Sequence, residues 1–407
     1  MQARGMTQLR ALLLEGIHPV AVELLSAAGI DVELERRALS EDELVGRLEG
    51  VHLLGIRSGT HVTAEVLAKA ADLRVLGAFC IGTNQIDLHA ATEHGVAVFN
   101  APFSNTRSVV ELALAEIIAL TRRLTVQDDA MHAGRWEKSA KGSHEVRGRR
   151  LGIVGYGNIG TQLSVLAEAL GMQVLFYDTA DRLALGNARR CATLDELLGE
   201  ADVVTLHVDG RPGNSGMFGE EQFGRMVPGA IFLNLSRGFV VDHGALRRHI
   251  EQGHLAGAAV DVFPSEPAAA GDPFESDLRG LPNVILTPHV GGSTEEAQTD
   301  IGDFVAGKLL DYVREGSTAL SVNLPGVRLP RLEGTCRLLL LHRNQPGAMA
   351  HFNSALADRG LNVEQQSLST AGTMGFAVTD VRGALNEDVV DELRAMAETV
   401  RVDLLPG

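Results

Sequence analysis

The chain has 407 residues, room for two or three domains at roughly 150 residues each. Its 36 basic and 52 acidic residues give a net charge of −16, which argues against a general binder of nucleic-acid backbones, and 45% hydrophobic with 22% charged residues excludes disorder of the whole chain. The three cysteines, Cys80, Cys191 and Cys336, cannot form a disulfide framework, and with no C-x-x-C pair among them no metal site is expected.

Short apolar runs alternate with amphipathic helical patterns over most of the chain. Residues 9–14 read as a strand and 19–28 as a helix closed by Gly29, with further strands at 51–56, 75–78 and 97–99. This rhythm predicts a parallel sheet covered by helices on both faces. One long helix is expected from 109 to about 133, with Ser108 as its N-cap. After Gly148 the rhythm restarts with the very apolar strand 151–154, followed by strands at 173–176, 203–207, 230–234, 257–262 and 284–287. These complete a second doubly wound unit. The helical stretch 294–312 is expected to return to the first unit, so that a discontinuous domain of 1–104 with 295–330 encloses a nucleotide domain of 105–294. Residues 323–330, bracketed by Pro325 and Pro330, read as a linker and candidate hinge. From 331 to 407 the expected order is βαββαβ, with a helix at 347–359, a second at 388–399 and a last strand at 401–405. Residues 1–6 carry no long apolar core, and no apolar run approaches the roughly 18 residues of a membrane span, so no membrane partner is expected and the cytoplasm is the expected compartment.

Gly155-Tyr156-Gly157-Asn158-Ile159-Gly160 follows a predicted strand and opens a predicted helix, the context that gives a G-x-G-x-x-G run meaning. Gly155 allows a tight turn, Gly157 lets backbone approach a pyrophosphate, and Gly160 permits close helix–strand packing. The helix N-terminus offers unpaired N–H groups to the phosphates. Asp178, 23 residues after Gly155, stands at the end of the next strand, where a carboxylate accepts from ribose hydroxyls and repels a 2′-phosphate. NAD is therefore favoured over NADP, with Arg182 as a neighbouring opposite charge.

Three charged residues each follow a predicted strand: Arg237 after Asn234-Leu235-Ser236, Glu266 in Pro264-Ser265-Glu266-Pro267, and His289 in Thr287-Pro288-His289. Oxidising a secondary alcohol needs a base for the hydroxyl proton as hydride leaves, and an imidazole suits that role. A carboxylate beside it favours the imidazolium, and a guanidinium can hold a substrate carboxylate in a two-point fork. Taken singly, each has a plainer meaning: a turn histidine, a solvated acidic loop, a surface ion pair.

Together, Gly155–Gly160 with Asp178, Asn234-Leu-Ser-Arg-Gly238, Asp261-Val-Phe-Pro-Ser-Glu-Pro267 and Thr287-Pro-His-Val-Gly-Gly-Ser-Thr294 resemble the D-isomer-specific 2-hydroxyacid dehydrogenases. Phe79-Cys-Ile-Gly-Thr-Asn84 and Asn100-Ala-Pro-Phe-Ser-Asn-Thr-Arg-Ser108 extend the likeness, which runs from about residue 12 to the C-terminus. The resemblance implies Arg237, Glu266 and His289 as the catalytic set. It implies cofactor contacts at Gly155, Gly157, Asn158, Ile159, Gly160, Asp178, His207, Leu235, Ser236, Asp261, Gly291 and Gly292, with Asp261 on the nicotinamide carboxamide. Substrate contacts would come from Arg57, Ser58, Gly82, Asn105 and Lys138, and the implied reaction is oxidation of D-3-phosphoglycerate to 3-phosphohydroxypyruvate at the head of phosphorylated serine biosynthesis. Two departures stand out: Gly59, where close relatives often carry a second arginine for phosphate, and Val110 in place of an alanine. Another 2-oxo acid (2-oxoglutarate, hydroxypyruvate or glyoxylate) is the rival substrate class, and an NAD-responsive corepressor or scaffold the rival function. Trp136, the only tryptophan, resembles a position used in subunit contacts, whereas the residue alone reads as a partly buried packing aromatic.

The C-terminal βαββαβ order resembles an ACT domain. His342, Asn344 and Asn362 then resemble an L-serine effector site, placed between subunits by edge-to-edge pairing of two such sheets in a homo-oligomer, dimer or tetramer.

Overall fold

The computed structural model describes residues 8–267, 271–383, 385 and 387–405; residues 1–6, read above for a leader pattern, lie outside them. The chain divides into two compact units, Met1–Pro102 with Gln298–Gly407, and Phe103–Ala297.

The first unit holds two sheets. Strands β1 (Arg10–Leu13), β2 (Asp31–Leu34), β3 (Leu53–Ile56), β4 (Val75–Ala78) and β5 (Ala97–Asn100) form a parallel sheet in the order β2-β1-β3-β4-β5. The inner strands are buried on both faces, as their unbroken apolar runs require. Leu12 and Leu14 point into one core, with Leu44, Val66 and Ala91 of short helices. Ala11 and Leu13 point into the other, with Leu25 and with Ile301, Val305 and Leu309 of the helix Glu295–Glu315. The late helix thus completes the core of a sheet formed by the first hundred residues. The edge strand β2 escaped the sequence reading because its pattern is mostly exposed.

The second unit contains β6 (Arg150–Val154), β7 (Gln173–Tyr177), β8 (Arg189–Arg190), β9 (Val203–Leu206), β10 (Ala230–Asn234), β11 (Leu255–Val260) and β12 (Val284–Leu286), all parallel in the order β12-β11-β10-β9-β6-β7-β8. The strand order reverses beside β6, which makes its carboxyl end the place where a ligand fits. The single helix expected over 109–133 is two, Thr106–Thr121 and Leu124–His132, because Arg123 has a φ of 52°, a left-handed conformation that a helix cannot pass through. Its N-cap is Asn105, and Ser108 lies inside the helix with its hydroxyl 2.8 Å from that of Thr294.

The second sheet of the first unit is antiparallel: β13 (Cys336–Arg343), β14 (Asn362–Ala371), β15 (Met374–Arg382) and β16 (Thr399–Leu405), in the order β14-β15-β13-β16. Leu338 and Leu340 of β13 pack under the helices Ala348–Asp358 and Glu387–Arg394, the latter ending five residues earlier than expected because Thr399 already pairs with His342. Leu339 and Leu341, on the opposite face, join Tyr312 and Leu309 in the core of the parallel sheet.

The expected hinge at 323–330 is instead a packed joint. Asn323 accepts from Val98 N–H (2.8 Å) and donates to Val96 O (2.9 Å) and Thr92 Oγ1 (3.0 Å), prolonging the edge of β5. Thr318 and Val327 hydrogen-bond each other across the same segment. Just beyond it, the fully buried Arg337 forms a bidentate pair with Asp380 (2.6 and 2.7 Å) and donates to the carbonyls of Glu315, Leu329 and Pro330. Arg343 pairs with Glu93 of the parallel-sheet domain, and Arg401 donates to Leu73 O. These side chains tie the segment and the C-terminal sheet to the parallel-sheet domain.

Candidate active site

The glycine run sits at the carboxyl end of β6. Gly155 has a φ of 92°, and a Cβ there would lie 2.6 Å from His207 O; a Cβ at Gly160 would lie 2.4 Å from Gly155 O. Both positions therefore require glycine. A Cβ on Gly157 would meet nothing within 4 Å, so that side of the loop is open. Gly157 is also the N-cap of the helix Asn158–Ala169 and has no side chain to satisfy its first N–H groups. An open glycine face over an uncapped helix start fits a dinucleotide pyrophosphate. Asp178 accepts from Tyr156 N–H (2.8 Å) and Ala180 N–H (2.8 Å), which ties the glycine loop to the end of β7, and Arg182 stands 3.5 Å from its carboxylate. His207 places Nε2 3.0 Å from Thr205 Oγ1, and burial pushes the ring down to about 4, so it is neutral near pH 7.

A few residues along the same sheet edge, Asn234 builds the turn that carries Arg237. Its Oδ1 accepts from Ser236 N–H (3.1 Å) and Oγ (2.8 Å), while Nδ2 donates to Arg237 O (3.0 Å). A Cβ on Gly238 would strike the Phe263 carbonyl carbon, so glycine lets this turn press against the chain leading to Glu266. Asp261, 2% exposed, is the second organiser. It accepts from Thr287 Oγ1 (2.6 Å), Val290 N–H (2.8 Å) and Gly291 N–H (2.9 Å), and its own carbonyl accepts from His289 N–H (2.8 Å). The carboxylate expected on a nicotinamide amide thus also holds the 287–291 loop. In that loop His289 adopts a φ of 54°, an uncommon conformation for a non-glycine residue that these bonds sustain.

His289 Nδ1 lies 2.9 Å from Glu266 Oε2. That hydrogen bond, against some desolvation, raises the imidazole above its ordinary range. Burial works against the charged form of Glu266, but the bonds from His289 and from Phe263 N–H outweigh it and lower the carboxyl. The two shifts agree in direction: each partner favours the charged form of the other, and Nε2 of the half-exposed ring is left to exchange a proton. Asn105 packs against Gly292, where a Cβ would lie 2.1 Å from its Nδ2, and its buried Oδ1 has no partner among the described residues.

Arg237, Glu266, His289, Asp261, Leu235, Ser236, Gly291, Gly292 and Asn105 therefore gather on one edge of the second unit, beside the glycine run. Lys138 does not join them: it is exposed near Trp136, where both line a cavity of about 370 Å³ beside the helix Leu124–His132. Trp136 is 79% exposed, which overturns the reading as a packing aromatic within one chain. Arg57, Ser58 and Gly82 belong to the first unit, where Gln85 Nε2 donates to Arg57 O (2.7 Å) and Cys80 Sγ to Gly82 O (3.1 Å). Sequence reasoning missed Asn234, Thr287 and Gln85 as organisers. Only Asn234 carried a local signal, an Asx turn two residues ahead of a serine.

Of the effector candidates, His342 is 3% exposed, with Nδ1 donating to Arg343 O (2.9 Å) and Nε2 against Gly375; Asn344 donates to Gly372 O (3.3 Å). Asn362 begins the edge strand β14 and pairs with Arg382, whereas His342 pairs with Gly375. Seven residues of β15 separate those partners, about 23 Å at 3.3 Å per residue, so one chain does not bring the three together. Among the described residues no group of three His, Cys, Asp or Glu side chains could hold a metal, and no helix is long and apolar enough to cross a membrane.

Residues 114–291 match the family model for the NAD binding domain of D-isomer specific 2-hydroxyacid dehydrogenases, and 338–401 match the AHAS small subunit-like ACT domain. A D-3-phosphoglycerate dehydrogenase of Haemophilus influenzae is 47% identical over 400 residues, covering 98% of both chains. The chain belongs to the D-isomer-specific 2-hydroxyacid dehydrogenases. D-3-phosphoglycerate dehydrogenase 1 of Saccharomyces cerevisiae is 45% identical over 96% of this chain and 86% of its own length. Among solved structures, a D-lactate dehydrogenase of Aquifex aeolicus in complex with NAD and lactic acid superposes with a TM-score of 0.66 at 26% identity, over 74% of this chain and 95% of that one. As a member of this family the protein is an NAD-dependent dehydrogenase that carries an ACT domain.

Proposed function

We propose that the protein oxidises D-3-phosphoglycerate to 3-phosphohydroxypyruvate in the cytoplasm, the first step of phosphorylated serine biosynthesis, and that L-serine inhibits it through the ACT domain. The observation that carries the chemistry is the 2.9 Å pairing of His289 with Glu266, with Arg237 near enough for its charge to act on both. NAD, held at the glycine run with Asp178 and Asp261, would supply the acceptor for the hydride leaving the substrate's C2. His289 Nε2 takes the C2 hydroxyl proton, Glu266 stabilises the resulting imidazolium, and Arg237 holds the substrate carboxylate by a two-point fork. Asn105, with its unpartnered oxygen, orients a substrate hydroxyl, and Arg57 binds the phosphate end. Functionally the chain then reads as a substrate domain of 1–104 with 295–330, an NAD domain of 105–294 and an effector domain of 331–407.

For the effector, the separation of about 23 Å along β15 between the strand partners of His342 and Asn362 supports a site completed by a second copy of the chain, with β14 of each copy as an unpaired edge. Arg343, between His342 and Asn344, already grips Glu93, which gives effector binding a short route to the helix Leu88–Glu93 and the Gly82 loop before it. Gly59 favours one competing reading, an unphosphorylated 2-oxo acid as substrate.

NADH oxidation with 3-phosphohydroxypyruvate, 2-oxoglutarate and hydroxypyruvate, each with and without millimolar L-serine, decides between them. Preference for the phosphorylated acid, lost in serine, is expected. Activity on the unphosphorylated acids alone would overturn the substrate, and serine-insensitive turnover would overturn the effector.

A further inference from the structure

β1 and β3 are neighbours, and the chain leaving each ends in a tight segment at the same edge of the sheet. From β1, Glu15 takes a left-handed φ of 60°, held by its N–H to Arg37 O (3.3 Å). That turn brings its carboxylate back over the segment Arg57–Thr60 leaving β3. Glu15 Oε1 accepts from Arg57 N–H (3.0 Å) and Thr60 N–H (2.9 Å), and Oε2 from Gly59 N–H (2.8 Å).

Backbone N–H groups that converge in this way make an anion site, of the kind that elsewhere cradles phosphate. Here the anion is part of the chain. Charge-assisted bonds to three donors fix the loop before any substrate arrives. From the other side Gln85, 9% exposed, holds the Arg57 carbonyl. The Arg57 guanidinium is left with no hydrogen bond or ion pair among the described residues. The position of Gly59 sharpens the point, since a Cβ there would stand 3.1 Å from Glu15 Oε2 and 3.3 Å from Ala38 Cβ.

We propose that Glu15 is a positioning residue that sets substrate affinity and anion specificity: by filling the 57–60 nest it bars a substrate phosphate from the loop backbone and presents the Arg57 guanidinium as the loop's anion contact. This rests on the reading of Arg57 as the phosphate-binding residue. Glu15 does not touch the reacting atoms, so its removal acts on KM through Arg57 and leaves the hydride and proton steps alone.

The test is a double-mutant cycle in the full-length protein with 3-phosphohydroxypyruvate and NADH, using Glu15→Gln and Arg57→Ala. Glutamine keeps the length but turns an NH2 group toward the N–H donors. Glu15→Gln is expected to raise KM about tenfold with kcat within about twofold and NADH affinity unchanged, the pattern of lost binding rather than lost chemistry. In the Arg57→Ala background it is expected to add less than about twofold, because the two residues act as one unit. Full multiplication of the two KM effects, or a fall in kcat or NADH affinity with KM unchanged, overturns the proposal. Arg57→Ala with an unaltered KM overturns the Arg57 reading itself and the proposal with it. Should Glu15→Gln fail to fold, Glu15→Asp, which keeps the charge on a shorter arm, carries the same cycle.

Discussion

Arg337–Asp380 and His289–Glu266 are both cation–carboxylate pairs of good geometry, at 2.6 and 2.9 Å, but their surroundings give them opposite uses. The first is sealed, with both side chains at 0% exposure and every remaining donor of Arg337 spent on a carbonyl or a carboxylate oxygen. Burial penalises the Asp380 charge, yet Arg337 and Gln365 hold its carboxyl below the ordinary range. Such a pair cannot exchange protons with solvent, and it works as a fastener where the C-terminal sheet meets the end of the helix Glu295–Glu315. The second pair has half its imidazole in solvent, so the same attraction adjusts a proton affinity. Burial separates structure from chemistry here; charge and distance do not.

The sharpest break in that comparison is at His289. His289→Asn is expected to lower kcat by roughly 10²–10⁴-fold, the span of general acid–base assistance, with NADH affinity retained in a fluorescence titration. A loss of NADH binding in step with turnover would mean the ring serves the cofactor.

Next comes the fastener. Arg337→Ala strands a buried carboxylate and is expected to cost about 3–5 kcal/mol in denaturant unfolding of the first unit. Replacing both partners, Arg337→Met with Asp380→Leu, should recover most of that. If the double variant is no better than the single, the bonds to Glu315, Leu329 and Pro330 rather than the charge pair hold the joint.

The smallest effect is a displacement along the pH axis. With His289 in its proposed role, reduction of the 2-oxo acid draws its proton from the imidazolium, so the rate is full below the raised imidazole value and falls as pH rises through it. Glu266→Gln removes the main cause of that rise, and the fall should begin at lower pH with turnover reduced. The stability carried by His289 follows the same sign: present below the ordinary imidazole range and lost as pH climbs through the raised value. Glu266 contributes above the ordinary carboxylate range and loses its share as pH drops through its lowered value. An unchanged alkaline limb in Glu266→Gln would show that another group titrates.

The inner strands and the glycine run were legible because burial on both faces forces apolar runs, and because the turn at Gly155 and the packing at Gly160 admit no Cβ; the exposed edge strand β2 and the break at Arg123 carry no such pattern. Arg237, Glu266 and His289 were legible as strand-end residues, and a carboxylate beside the imidazole was expected from their chemistry; the left-handed backbone of His289 and the Asp261 bonds that hold its loop were not, because they join residues 26 to 30 positions apart. The linker misled for a physical reason. Two prolines and a glycine suggest a free segment, whereas Asn323 finds three partners on or beside β5, contacts more than 200 residues apart in sequence. For Lys138 the sequence offers only a charge, and a charge on an exposed arm has no local pattern that says what the arm meets.

The late helix has a consequence for synthesis. The face formed by Ala11, Leu13 and Phe99 has to wait for Ile301, Val305 and Leu309 to cover it. At 5–20 residues per second the ribosome needs about 10–40 s to make the intervening chain. For that time the nascent protein holds a sheet with one apolar face only partly covered, by the helix that carries Leu25, while the nucleotide unit is encoded without interruption. Chaperone demand should therefore concentrate on the N-terminal third, and a ribosome stall before codon 300 should yield a chain with a folded middle and a sticky start.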